Sequence, residues 1–226
     1  MSKYFSPLLF PVRLENDIIL VLDETKLPFE EYFISVRSLE EAVRVLSEMK
    51  TRALGQVLLF FYSTVLFKDE IAIREIAEKF KEERPTFAFE LLADIIEGEL
   101  AKRKDIKDIV DHFILNFDKK RKQRMYNLAK DLPQQANVLT ICNVNGELIY
   151  LYEEMQKLNK KIIFYISETR PYLQGTRLTF WELVKNKIPA KLVCDNQVAY
   201  LMRQKKINAI IVGADRATVY NDIINK

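Results

Sequence analysis

Four short apolar runs, 138–142, 162–167, 191–194 and 209–213, alternate with stretches of helical periodicity. Strands that are apolar throughout are buried on both faces, and their alternation with helices predicts a parallel, doubly wound sheet. The first half reads differently. Strand-like pieces at 18–22 and 32–36 flank a turn at Lys26-Leu27-Pro28. Ser38-Leu39-Glu40-Glu41 is a capping-box pattern, whose Ser and Glu satisfy free N–H groups at a helix start, and Leu39, Val43, Leu46 and Met49 follow at helical spacing. A very apolar helix is expected at 56–67, buried on most sides, and amphipathic helices at 71–83 and 86–101. The charged segment 117–132, with Lys119-Lys120-Arg121-Lys122, reads as a solvated linking helix.

These patterns predict an α/β protein: a small, mostly helical N-terminal domain with short β strands (1–117), a linking helix (118–135), and an incomplete Rossmann-like parallel sheet (136–226). The final strand, 209–213, is expected at a sheet edge, covered by a second subunit or belonging to a shortened relative of a larger fold.

A chain of 226 residues with 49% hydrophobic and 30% charged positions has the composition of an ordinary globular protein. Its net charge of +3 is too small for dedicated nucleic-acid binding and leaves a small phosphate as the expected anionic partner. Two cysteines, Cys142 and Cys194, make no disulfide framework and no metal-type pair, so a reducing, cytoplasmic setting is expected. No apolar stretch approaches the roughly 20 residues of a membrane helix.

Ligands of open parallel sheets gather at the carboxyl ends of strands. There the sequence places Cys142, then Asn143-Val144-Asn145-Gly146; the run from Ser167 through Glu168, Arg170, Gln174, Gly175 and Arg177; and Gly213-Ala214-Asp215-Arg216. Cys142 sits where a helix start favours a thiolate, suiting a nucleophile or proton shuttle; the alternative is a small buried hydrophobe. Cys194 occupies the equivalent place on another strand. Asp215 suits a general acid or base, or a helix cap. Arginines beside free N–H groups suit phosphate, with an ion-pair network as the alternative for Glu168 and Arg170. The single histidine, His112, lies in a helical context, so neither a histidine triad nor a histidine metal site is expected.

Together these motifs resemble the 5-methylthioribose-1-phosphate isomerase family, within the superfamily that includes ribose-1,5-bisphosphate isomerases and regulatory subunits of the initiation-factor-two exchange factor. The resemblance is carried by Leu22-Asp23-Glu24-Thr25-Lys26-Leu27-Pro28, Met49-Lys50-Thr51-Arg52, Arg84-Pro85-Thr86, Val138-Leu139-Thr140-Ile141-Cys142-Asn143, the run from Glu168 to Leu178, Val212 to Arg216, and Asn225-Lys226. It implies aldose–ketose isomerisation of a sugar phosphorylated on its anomeric carbon. Cys142 and Asp215 would be the catalytic pair, with Arg52, Ala53, Leu54, Arg84, Gln174, Asn225 and Lys226 on the substrate. It also implies a homodimer and no metal or organic cofactor. The chain departs from the family pattern in five places. Arg52-Ala53-Leu54-Gly55 stands for Arg-Gly-Ala-Pro, Ile141 for a histidine, the stretch after Cys142 is shorter, Tyr220-Asn221-Asp222 stands for Asn-Gly-Asp, and the family continues past Lys226. A binding protein like the exchange-factor subunits is the second reading of such a chain, and isomerisation of another sugar 1-phosphate the third.

Overall fold

Asn16 and Asp17, both at positive φ (48° and 59°), turn the chain tightly between β1 (Val12–Glu15) and β2 (Ile18–Leu22). Two-residue hairpin turns with positive φ match the twist of the strands they join, and Asn and Asp tolerate that conformation. β3 (Phe33–Val36) completes a three-stranded antiparallel sheet in the order β1-β2-β3, with Glu15 opposite Ile18 and Leu22 opposite Phe33. β1 was not expected from the sequence, although Val12 and Leu14 alternate with Arg13 and Glu15 ahead of the Asn-Asp turn.

Ser38 caps α1 (Leu39–Ser47), its hydroxyl accepting from the Glu41 N–H at 3.3 Å. The Glu41 carboxylate accepts from the Arg37 N–H at 2.7 Å, one residue earlier than a standard capping box. α2 (Leu54–Leu66) is apolar almost throughout and buries Leu58, Leu59, Phe60 and Phe61. α3 (Ile73–Glu83) and α4 (Phe89–Leu100) pack on it through Phe80 and Phe89, whose rings lie 5.6 and 5.4 Å from Phe60. α4 begins later than the apolar periodicity suggests, because the N–H of Phe87 turns back to the Arg84 carbonyl.

α5 (Ile106–Asp131) gives Ile106 and Val110 to this first core, and Met125, Ala129 and Leu132 beyond its end to a second. The second core is built on four parallel strands: β4 (Gln135–Thr140), β5 (Lys161–Ser167), β6 (Ala190–Val193) and β7 (Ala209–Ile211), in the order β6-β5-β4-β7. α6 (Glu147–Lys157) joins β4 to β5, a π-helical turn (Gly175–Phe180) with α7 (Trp181–Lys185) joins β5 to β6, and α8 (Val198–Arg203) precedes β7. β7 lies at the edge, with Ile210 56% exposed. A small antiparallel pair, β8 (Arg216–Ala217) with β9 (Ile223–Ile224), follows.

The computed structural model describes residues 4–102, 105–214, 216–220 and 222–224. The chain divides into two units, Phe10–Lys120 and Met1–Leu9 with Arg121–Lys226. The segment before Phe10 is tied into the second unit: the Ser6 hydroxyl donates to Glu182 at 2.8 Å and the Phe5 N–H to Asn186 at 2.9 Å.

One expectation is corrected here. Arg121, read from the Lys119–Lys122 charge run as part of a solvated face, is fully buried. It donates to the carbonyls of Leu9 (2.9 Å) and Asn145 and to the Glu147 carboxylate at 3.3 Å. A buried guanidinium is tolerable only when its donors are met, and here three groups meet them.

Candidate functional site

β4 lies between β5 and β7, so the chain leaves it on one side to build β5 and β6 and returns on the other to build β7. At such a reversal the connections diverge and open a crevice at the carboxyl ends of the two strands. Thr140 ends β4 opposite Ile211 of β7, and Cys142 follows two residues later. Asp215 follows β7 in the sequence and lies outside the described residues, as do Asn225 and Lys226.

Cys142 has φ of 58° and is a free, partly buried thiol. A non-glycine residue holds this conformation only when its surroundings fix it. Two threonines do so. The Cys142 N–H donates to Thr169 Oγ1 at 2.8 Å, and Thr179 Oγ1 donates to the Cys142 carbonyl at 2.6 Å. Asn143 extends the network, donating to Thr179 at 3.0 Å and to Glu182 at 3.3 Å while accepting from the Asn145 N–H at 2.8 Å. Arg121 donates to the Asn145 carbonyl.

The loop after β5 supplies these partners, and its own shape is fixed twice. Gly175 passes so close to the strand that a Cβ there would lie 1.8 Å from the Ser167 carbonyl oxygen, so no side chain fits. Asp195, just past β6, accepts from the Ser167 hydroxyl and from the N–H groups of Thr169 (2.9 Å) and Arg170 (2.8 Å). Burial draws the Asp195 carboxyl upward. The Ser167 hydroxyl, the two backbone N–H groups and the Arg170 charge outweigh it and hold the pKa below the ordinary carboxylate range. Gln174 is buried within this loop. Arg170 pairs with Glu168 at 3.1 Å, the ion-pair arrangement that was the alternative for those two.

In the other unit, Arg52, Ala53 and Leu54 form the entry to α2. Ala53 is the N-cap at φ 39°, ψ −105°, and offers no side-chain cap. The N–H groups of Ala53 and Leu54 meet no protein acceptor among the described residues, so the helix start presents free donors and the positive end of its dipole. Arg84 comes to the same loop, with Nη1 3.4 Å from the Met49 sulfur, and its buried Nε has no acceptor among the described residues. Arginine side chains and open backbone N–H groups are the donor types that suit an anion. The same loop is bonded to Glu24, only 4% exposed, whose Oε1 accepts from the Thr51 hydroxyl at 2.7 Å and from the Arg52 N–H at 3.0 Å. Burial raises its pKa to about 7. The stability that Glu24 lends the fold is therefore complete below 4.5 and is lost as the pH rises to about 7.

The structure thus gathers Arg52, Ala53, Leu54 and Arg84 around one loop of the first unit, and Cys142 with the Gln174 loop at the sheet end of the second. Sequence reasoning gave no individual site role to Thr169, Thr179, Asn143, Asp195, Glu182, Arg121 or Glu24, although several of them lie within runs it singled out. Asp195 was within reach: it directly follows Cys194 at a strand end, where only the cysteine was singled out. Among the described residues, no group of three or more His, Cys, Asp or Glu side chains is placed to hold a metal ion. No described helix is long and apolar enough to cross a membrane.

The profile of the initiation factor 2 subunit family matches residues 35–226. A methylthioribose-1-phosphate isomerase of Aquifex aeolicus is 32% identical over 229 residues, covering 96% of this chain and 50% of its own length. The Sulfurihydrogenibium sp. enzyme of that name is 30% identical over 240 residues, 96% of this chain and 68% of its own. Among solved structures, 5-methylthioribose 1-phosphate isomerase from Pyrococcus horikoshii superposes with a TM-score of 0.79 at 25% identity, covering 100% of this chain and 72% of that one. Subunit delta of translation initiation factor eIF-2B from A. fulgidus gives 0.69 at 24% identity, covering 92% and 68%, which supports the fold. The chain spans about half the length of the Aquifex relative.

Proposed function

The chain belongs to the initiation factor 2 subunit family, and from that premise we propose that it is an aldose–ketose isomerase converting 5-methylthioribose 1-phosphate to 5-methylthioribulose 1-phosphate. The observation that carries this reading is Cys142, held at φ 58° by Thr169 and Thr179 at the end of β4, beside the reversal in strand order. A cysteine whose backbone is so fixed starts its side chain from a set point at the strand end, and relatives identical to this chain at about a third of the aligned positions bear the name of that enzyme.

The chemistry assigns each residue a task. A phosphate on the anomeric carbon prevents spontaneous ring opening, so an acid must protonate the ring oxygen as its bond to C1 breaks. Asp215 supplies that proton. Cys142 takes the proton from C2, forming the enol phosphate, and returns it to C1. The carboxylate of Asp215 then accepts the C2 hydroxyl proton as the C2 carbonyl forms, which restores both groups. Nothing is consumed and no cofactor enters these steps. By the family resemblance, phosphate binding falls to Arg52, Ala53, Leu54 and Arg84, and sugar binding to Gln174, Asn225 and Lys226; binding energy from a non-reacting group can be used for catalysis.

The reading is tested by steady-state turnover of 5-methylthioribose 1-phosphate against ribose 1,5-bisphosphate, with the parent and with Arg52→Ala. We expect turnover of the methylthio sugar and a KM for Arg52→Ala raised about a hundredfold, as loss of a charge-assisted phosphate contact costs about 2–3 kcal/mol. Preference for the bisphosphate would reassign the substrate. No turnover of either by folded protein would leave a binding protein.

The edge position of β7 supports a homodimer, and two free thiols suit the reducing cytoplasm. Light scattering at the exit of a sizing column is expected to give twice the mass of one chain; the mass of a single chain would contradict the dimer.

A further inference from the structure

Glu24 is a buried acid that the proposed chemistry does not use, yet it is bonded to the loop that would hold the phosphate. It follows β2 and is tied to the segment between α1 and α2 three times: its N–H donates to the Lys50 carbonyl at 2.8 Å, and its Oε1 takes the Thr51 hydroxyl and the Arg52 N–H. Thr51 is itself fully buried, receives Gln56 Nε2 on its carbonyl at 3.0 Å, and leaves no room for a Cβ on Gly55, which would lie 1.8 Å from its hydroxyl oxygen. The loop that presents Arg52, Ala53 and Leu54 is therefore set by where the Glu24 carboxyl stands.

We propose that Glu24 is the positioning residue of this anion site: as a neutral acid it fixes Thr51 and Arg52 in the form that receives a phosphate, and as a carboxylate it opposes the phosphate charge, so that binding takes up a proton from solvent. This rests on the reading of Arg52 as a phosphate ligand. The charges around Glu24 are consistent with it. Asp23 disfavours a second negative charge and Arg52 favours one. Lys50 faces Asp23 at 3.7 Å and Glu48 at 3.4 Å, and α2 presents the neutral Gln56. Burial dominates all of these, so the proton is exchanged near neutral pH, where a modest bias changes its occupancy.

The test uses labelled sulfate, a dianion of constant charge near neutrality, bound to the full chain by equilibrium dialysis between about pH 5.5 and about pH 8.5, on either side of the Glu24 transition. The parent is expected to lose affinity about tenfold across that window, the size of one screened charge repulsion at a short distance. Glu24→Gln keeps an oxygen acceptor for Thr51 and Arg52 without the charge. It is expected to bind as tightly as the parent at low pH and to show no such fall. Glu24→Ala is expected to bind weakly throughout, so that rescue by glutamine separates positioning from bulk support. A parallel fall in the parent and Glu24→Gln would overturn the proposal. Sulfate binding that survives Arg52→Ala unchanged, or no binding by the parent at any pH, would instead overturn the phosphate site itself and the proposal with it.

Discussion

Cys142→Ser is expected to lower kcat by about a thousandfold while leaving KM close to that of the parent. A positioned acid–base group contributes on the order of 10²–10⁴ in rate, and a serine hydroxyl is too weak an acid to carry a proton between C2 and C1 near neutral pH. The exchange is small in volume. The features that hold the residue, Thr169 on its N–H and Thr179 on its carbonyl, act on the backbone and survive it. The phosphate contacts proposed for other residues would be untouched, so binding is expected to remain while turnover fails. Steady-state kinetics on both proteins, with thermal unfolding as the check on folding, decides the matter. Turnover retained within a factor of about ten would make Cys142 the small buried hydrophobe that its residue type also allows.

Arg121→Met is expected to lower the stability of its unit by about 4 kcal/mol, measured by urea unfolding. Methionine fills most of the space but leaves the carbonyls of Leu9 and Asn145 in a buried setting without their donor. Arg124→Met is the internal comparison. Arg124 pairs with the same Glu147 carboxylate at 2.6 Å, but its side chain is 55% exposed, so its loss is expected to cost less than about 1 kcal/mol. Equal effects of the two substitutions would contradict the view that burial, and not the shared ion pair, sets the contribution of Arg121. Because Arg121 also fixes Asn145, three residues past Cys142, Arg121→Met is expected to slow turnover in whatever fraction stays folded.

How far the sequence could be read follows from the range of the interactions involved. The strands of the parallel sheet and the α1 cap were legible because they depend on neighbours: continuous apolar runs, and Ser38 with Glu41 three residues on. The order β6-β5-β4-β7 was not legible, since no local pattern says on which side of β4 the chain returns. The same limit hid the groups that shape the sites. Arg121 stands in a run of four cations, and only contact with Leu9, 112 positions away, shows that it is buried. Glu24 was seen within a motif, but its role depends on Thr51 and Arg52 arriving from beyond α1. Cys142 and the loop from Ser167 to Thr179 were named from their position after strands; the threonine clamp between them required the fold.

The measurement that bears most directly on the central claim is paired phosphorus and proton NMR of the purified chain incubated with 5-methylthioribose 1-phosphate. The account predicts that the anomeric proton signal disappears while the phosphorus stays esterified, as the aldose 1-phosphate becomes the ketose 1-phosphate. A spectrum that does not change, or the appearance of inorganic phosphate in place of the ketose ester, would contradict it.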